Sequence, residues 1–244
     1  MEPINQQSKT TVHFGIQYLL AGVWVPERVR TVEFEKALLK NGLDFSQTQT
    51  REKSFTLIRT QPSHLQVTLE SPGPQVVSLL VQAPNPQYEC ELFGRDAEAV
   101  TQAFLQTWPS DHYQALSVSS KIQHLYSAQT HAFQYLWEER LGQSPEDFRL
   151  LGKRPVAGGG LRLVMPPYAT EGGEPTSIEV RIESFLREPQ KVFIETAFTW
   201  PRPRVIVPAQ GFEPQRYIEE TERFAAEEVW NFLTHSPKKP LSGM

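Results

Sequence analysis

Cysteine is nearly absent. One residue, Cys90, stands among 244, so no disulfide closes within the chain and a reducing compartment fits. Its neighbours are Glu89 and Glu91. Adjacent carboxylates raise a thiol pKa, which makes Cys90 a core residue rather than a nucleophile. Long apolar runs are missing too. None nears the ~20 residues that a bilayer span needs, and the polar opening from Met1 to Thr10 lacks the basic-then-apolar order of a signal peptide. The expected location is the cytoplasm, with no membrane partner. Charge of one sign is also lacking. The 24 Lys and Arg against 28 Asp and Glu leave −4. Both halves share it, with 9 against 11 over 1–110 and 15 against 17 over 111–244. Proteins that neutralise many phosphates carry a basic excess, so duplex nucleic acid is not an expected partner.

Catalytic and metal motifs are likewise missing. His13, His64, His112, His124, His131 and His235 form neither an HExxH pair nor a cluster with cysteine, so neither a metal nor a cofactor is expected. His124 reads as a half-buried packing residue. Gly158-Gly159-Gly160 follows Lys153-Arg154 and precedes an extended stretch. A phosphate loop needs a strand before it and a Gly-Lys-Ser/Thr ending with a helix after it, so these glycines read as a turn. No G-x-S-x-G elbow occurs.

Alternation is what the chain does have. Val12, Phe14, Ile16 and Tyr18 share one parity, the mark of a strand with one buried face. A helix over about 30–40 follows, stopped by Asn41-Gly42. Four strands are then predicted at 54–60, 65–70, 76–82 and 88–93, separated by prolines that suit turns. A helix capped by Asp96 closes the half, with Val100, Phe104 and Trp108 on one face. The second half repeats the order. A strand at about 115–125 leads to a helix at about 130–141. A capped extra turn begins at Ser144-Pro145, and four extended segments follow at 161–165, 177–185, 191–198 and 204–207. The longest helix, about 214–234, ends the half, and the tail from Pro237 is expected to be loose.

Three local matches fall in register with this order. Ile16 to Leu19 matches Ile122 to Leu125, Phe34 to Gly42 matches Phe133 to Gly142, and Leu65 to Ser71 matches Ile178 to Ser184. The expected fold is therefore α+β, made of internally duplicated β-α-β4-α units. Their sheets are mainly antiparallel, with helices on one face. The units are 1–110 and 111–236, with a tail at 237–244. That order resembles the fold of the TATA-box-binding protein and is similar to helix-grip proteins, where a long closing helix crosses a curved antiparallel sheet. More loosely, it resembles a sporadically distributed bacterial family of unknown function. The TATA-binding likeness implies DNA insertion by paired phenylalanines and basic strands. The outward strand positions here, Gln66, Thr68, Glu70, Glu179, Arg181 and Glu183, mix charge and polarity instead.

Two candidate surfaces follow. Thr199-Trp200-Pro201-Arg202-Pro203-Arg204 joins the third and fourth strands of the second half. Stiff prolines lose little entropy on binding, and Trp and Arg are enriched at interface hot spots. Trp200, Arg202 and Arg204 are accordingly candidate anchors for a protein partner. The other reading folds Trp200 back onto the core. On the closing helix, Tyr217, Phe224 and Phe232 either line a cavity or fill it. Glu222 and Glu228 fall within or beside the same apolar arc. The expected function is non-enzymatic binding of another protein. The alternative is helix-grip binding of a small apolar molecule, with or without chemistry on it.

Overall fold

The computed structural model describes residues 3–152, 154–169 and 173–235. Within them the fold is α+β, with one antiparallel sheet of ten strands and four helices. The first half runs β1 (Ile4–Ala21), α1 (Arg28–Lys40), β2 (Gln47–Arg51), β3 (Ser54–Arg59), β4 (Leu65–Gly73), β5 (Val76–Pro84) and α2 (Cys90–Thr107). The second runs β6 (Tyr113–Ala128), α3 over 132–140, a 3-10 stretch at Pro145–Leu151, β7 (Gly160–Tyr168), β8 (Thr176–Ser184), β9 (Lys191–Trp200), β10 (Arg204–Ile206) and α4 over 214–234. Helix α3 widens to π winding over Tyr135–Arg140, and α4 does the same over Ala225–Val229.

Across the sheet the order is β2-β3-β4-β5-β1-β6-β9-β8-β7. The two longest strands, β1 and β6, pair along the middle. Strands β5, β4 and β3 lie outward of β1, and β9, β8 and β7 outward of β6. Buried positions alternate, because side chains of a strand point to opposite faces with a period of two. Phe14, Ile16, Tyr18 and Leu20 of β1 point to the same side as Val67, Leu69, Leu79 and Val81, and all four helices cover that side. The other face carries no helix. There Gln66, Thr68, Glu70, Glu179, Arg181 and Glu183 project, as their parity foretells.

Several local expectations need correction. The stretch from Tyr88 to Phe93 is not a strand, since α2 begins at Cys90. Cys90, Phe93, Gly94, Ala97, Val100, Thr101 and Phe104 recur every three to four residues and are all buried, which is the helical period. Asp96 therefore lies inside α2 and caps nothing; it pairs with Arg59 at 2.5 Å. The true fourth strand of this half is β2, whose five residues are all exposed. With no buried face it has no alternation to detect. In the second half, β10 is not a fourth neighbour. Val118 pairs with Trp200 and Ala115 with Arg204, so β10 continues β9 along the same side of β6 after Pro201 and Pro203. The tail from Pro237 lies outside the described residues.

Candidate functional site

Helix α4 carries its apolar side onto β6, β8 and β9, and its wide turn falls at residues 225–229. Wide turns of this kind recur at functional sites. Phe224, Glu228 and Phe232, spaced by four, border an open groove here. Val229 of α4, Leu163 and Met165 of β7 and Val180 of β8 complete it, enclosing about 110 Å³. Six of these seven residues are apolar. The seventh, Glu228, is exposed and has no hydrogen-bond or ion-pair partner among the described residues. Phe232 is held from behind. Arg140 stacks over its ring at 4.4 Å, and Arg140 Nε donates to the Phe232 carbonyl at 2.8 Å. Phe224 meets Phe198 edge-on at 5.2 Å.

Of the residues assigned to a cavity from sequence, the groove thus gathers Phe224, Glu228 and Phe232. Tyr217 and Glu222 lie elsewhere. Tyr217 is wholly buried against Trp200, with ring centroids 4.5 Å apart. Glu222 joins a polar line that sequence reasoning did not assemble. Its Oε1 accepts from Lys9 Nζ at 2.7 Å and its Oε2 lies 2.8 Å from His124 Nε2. Thr11 Oγ1 lies 3.1 Å from His124 Nδ1. A carboxylate only accepts, so Nε2 donates to Glu222, and in the neutral ring Nδ1 accepts from the Thr11 hydroxyl.

A bulge builds this line. Thr11 pairs with His124 and His13 with Gln123, so Val12 is an extra residue on β1. Bulges re-aim side chains, and this one turns Thr11 to the helix side while His13 stays on the open face. Burial alone raises the Glu222 pKa. The hydrogen bonds and charges of His124 and Lys9 outweigh it and hold the carboxyl below its ordinary value. A hydroxyl, an imidazole and a carboxylate in a row invite comparison with nucleophilic trios. Here His124 is 1% exposed and both its nitrogens are occupied. The line thus ties the start of β1 to α4. Cys90 stands close by, and burial, then Glu222, Glu91 and Glu219, push its thiol up to about 12. A thiol held that high is a poor nucleophile.

The Trp200 segment divides three ways. Trp200 is 3% exposed and packs against Phe198 and Tyr217, so of its two readings the structure takes the core one. Arg204 is half-buried over the Tyr217 ring at 4.6 Å, donates to its hydroxyl and reaches Glu174 at 3.4 Å. Arg202 alone is exposed. The three do not form one anchor.

On the helix-free face, charges cancel locally. Arg162 grips Glu179 through two bonds of 2.7 and 2.9 Å. Arg181 reaches Glu183 at 2.9 Å and Glu195 at 3.5 Å, and Lys121 reaches Glu195 at 3.7 Å. Among the described residues no group of three or more His, Cys, Asp or Glu is placed to hold a metal ion. No helix among them is long and apolar enough to cross a membrane. Compared with known protein families, with curated proteins and with solved structures, the chain finds no match.

Proposed function

We propose that the protein is a non-enzymatic binding protein, and that its receptor site is the groove between α4, β7 and β8. The observation that carries this is the lining: six apolar side chains around a space open to solvent, with one carboxylate at the rim that has no partner among the described residues. Close packing is the rule inside proteins, and an open apolar recess marks a place where something else packs. Volume selects the occupant. A drug-sized ligand needs roughly 300–1,000 Å³, and this groove offers about 110 Å³. That suits one apolar side chain of a partner protein better than a free small molecule. The paired charges of the open face argue in the same direction, against a phosphate-rich partner.

Phe232 is 39% exposed at the rim, so Phe232→Glu places a charge in the recess at little cost to the core. Affinity capture with the unmodified chain and with this variant, each followed by mass spectrometry, tests the reading. A protein held by the first and lost by the second is the expected result. Identical captures, with the variant folded, sink it. Native mass spectrometry showing a co-purified apolar small molecule favours the helix-grip alternative.

The same reading includes ancestry. We infer two units related by duplication, meeting at β1 and β6. The run β5-β4-β3 outward of β1 and β9-β8-β7 outward of β6 supports it, as do the three sequence matches. Failure of 12–109 to superpose on 116–234 with equivalent strand order counts against it.

A further inference from the structure

The geometry points to a specific binding mode: an extended segment of the partner protein adds as a strand to the free edge of β7 and sets an apolar side chain into the groove. This rests on the groove being the binding site.

Among the described residues the main strand order ends at β2 and β7, and these two end strands differ in kind. Strand β2 reads Gln-Thr-Gln-Thr-Arg with every residue exposed, so it is short and offers an added strand no apolar face to pack beside. Strand β7 reads Leu161, Arg162, Leu163, Val164 and Met165. Its one charge is already occupied by Glu179, and Val164 is 63% exposed. An apolar edge left open invites another strand.

The hydrogen-bond pattern shows which groups are free. Ser184 N donates to Gly159 O at 3.0 Å, so 159 and 184 form a hydrogen-bonded pair. Antiparallel pairs alternate in type. Residues 161, 163 and 165 therefore bond to β8, while Arg162 and Val164 turn their N–H and C=O groups outward. Pro166 and Pro167 have no N–H and end the ladder at one side. The usable edge is about six residues, roughly 20 Å long.

Groove and edge coincide on the same strand. Leu163 and Met165 line the groove from β7. A strand added about 4.8 Å further out places its own helix-side residues next to them. Charge completes the specification. Among the described residues Glu228 at the rim lacks a cation, so the partner segment carries a Lys or Arg beside its apolar anchor on the same face. A second copy of the chain does not meet this demand. Its β7 brings only Leu161, Leu163 and Met165 to the helix side, with no basic residue for Glu228. A six-residue ladder also falls well short of the ~800 Å² per partner that a stable dimer buries.

The test uses the full chain and a displayed library of random linear decapeptides. Enriched sequences are expected to share apolar residues two apart with a Lys or Arg a further two positions along, on the same face, and to switch to Asp or Glu at that position against the Glu228→Lys protein. A synthetic peptide of the enriched sequence is then N-methylated one residue at a time. Alternate positions should each lose about tenfold in affinity, with the positions between them unaffected. Val164→Pro removes one outward N–H without touching the β8 pairing and should weaken binding comparably. Binding that resists every N-methylation but is lost in Phe232→Glu overturns strand addition and leaves the groove intact as the site. Binding lost to N-methylation yet indifferent to Phe232→Glu overturns the groove. Failure to enrich any peptide, or a chain that sediments as a dimer split by Val164→Pro, overturns the inference as well.

Discussion

His13 sits where a residue does more than its position in the chain suggests. Its side chain lies over Gly15 on the open face; a Cβ at Gly15 would stand 2.8 Å from His13 Nε2. Burial, reinforced by Lys121 and opposed by Glu195, lowers the ring pKa to about 4. The folded chain thus keeps this histidine neutral where the unfolded chain, titrating near 6.5, protonates it. Stability is full above pH 6.5, falls as pH drops from there towards 4, and levels off below. The loss is on the order of 3 kcal/mol. Guanidinium unfolding at about pH 7 and pH 5 checks it, with about 2 kcal/mol of the loss falling in that interval, and His13→Gln should flatten the difference. Trp200 makes the second prediction at this scale. Trp200→Ala should cost about 3–5 kcal/mol and lower the melting temperature by many degrees. A near-unchanged melting curve would return Trp200 to the surface reading. Sequence held both readings open because Trp suits a core and an interface for the same reason, its large apolar area.

Elements with a buried face announced themselves, and those without one did not. Strands β1, β4 and β8 alternate because one side meets the core. Strand β2 buries no side chain, so its residues keep no apolar period. Tyr88 to Phe93 misled for a related reason: over six residues, helix and strand periods are hard to tell apart, and only the continuation through Ala97, Val100 and Phe104 decides. The bulge at Val12 was invisible, since an extra residue shows only against its partner strand. Its consequence is measurable. Glu222→Ala leaves His124 buried and Lys9 without a partner, and should cost about 3 kcal/mol in chemical denaturation. Loss of less than a few tenths of a kcal/mol would mean that the line from Thr11 to Lys9 does not tie β1 to α4.

At the scale of the whole chain the two halves share the larger of two hydrophobic clusters, while the smaller is built almost wholly from the second half. Tyr18 Oη donates to the Phe212 carbonyl at 2.9 Å. Phe212, Tyr217 and Ile218 from the second half pack in the same cluster as Phe14, Leu79 and Val100 from the first. Cutting between 110 and 111 strips α4 from that cluster and exposes a full edge of β1. Residues 1–110 alone should then give a poorly dispersed amide spectrum, and the intact chain one cooperative melting transition. A well-dispersed spectrum from the fragment, or two separated transitions, would show the halves to be independent.

The sequence by itself determined the class and most of the elements. Side-chain periods of 2 and 3.6 are local properties, written over five to ten neighbouring residues, so the α+β class, the antiparallel strands and the long closing helix were legible. Phe224, Glu228 and Phe232 were legible as one side of α4 for the same reason. Only the tertiary structure decided what faces them. Leu163, Met165 and Val180 lie dozens of residues away in the chain, and nothing local couples 163 to 228. Lys9, Thr11 and His124 reach Glu222 through the pairing of β1 with β6. The free edge of β7 is likewise a property of the strand order, because a strand's own residues say which face is buried but not whether a neighbour lies beside it.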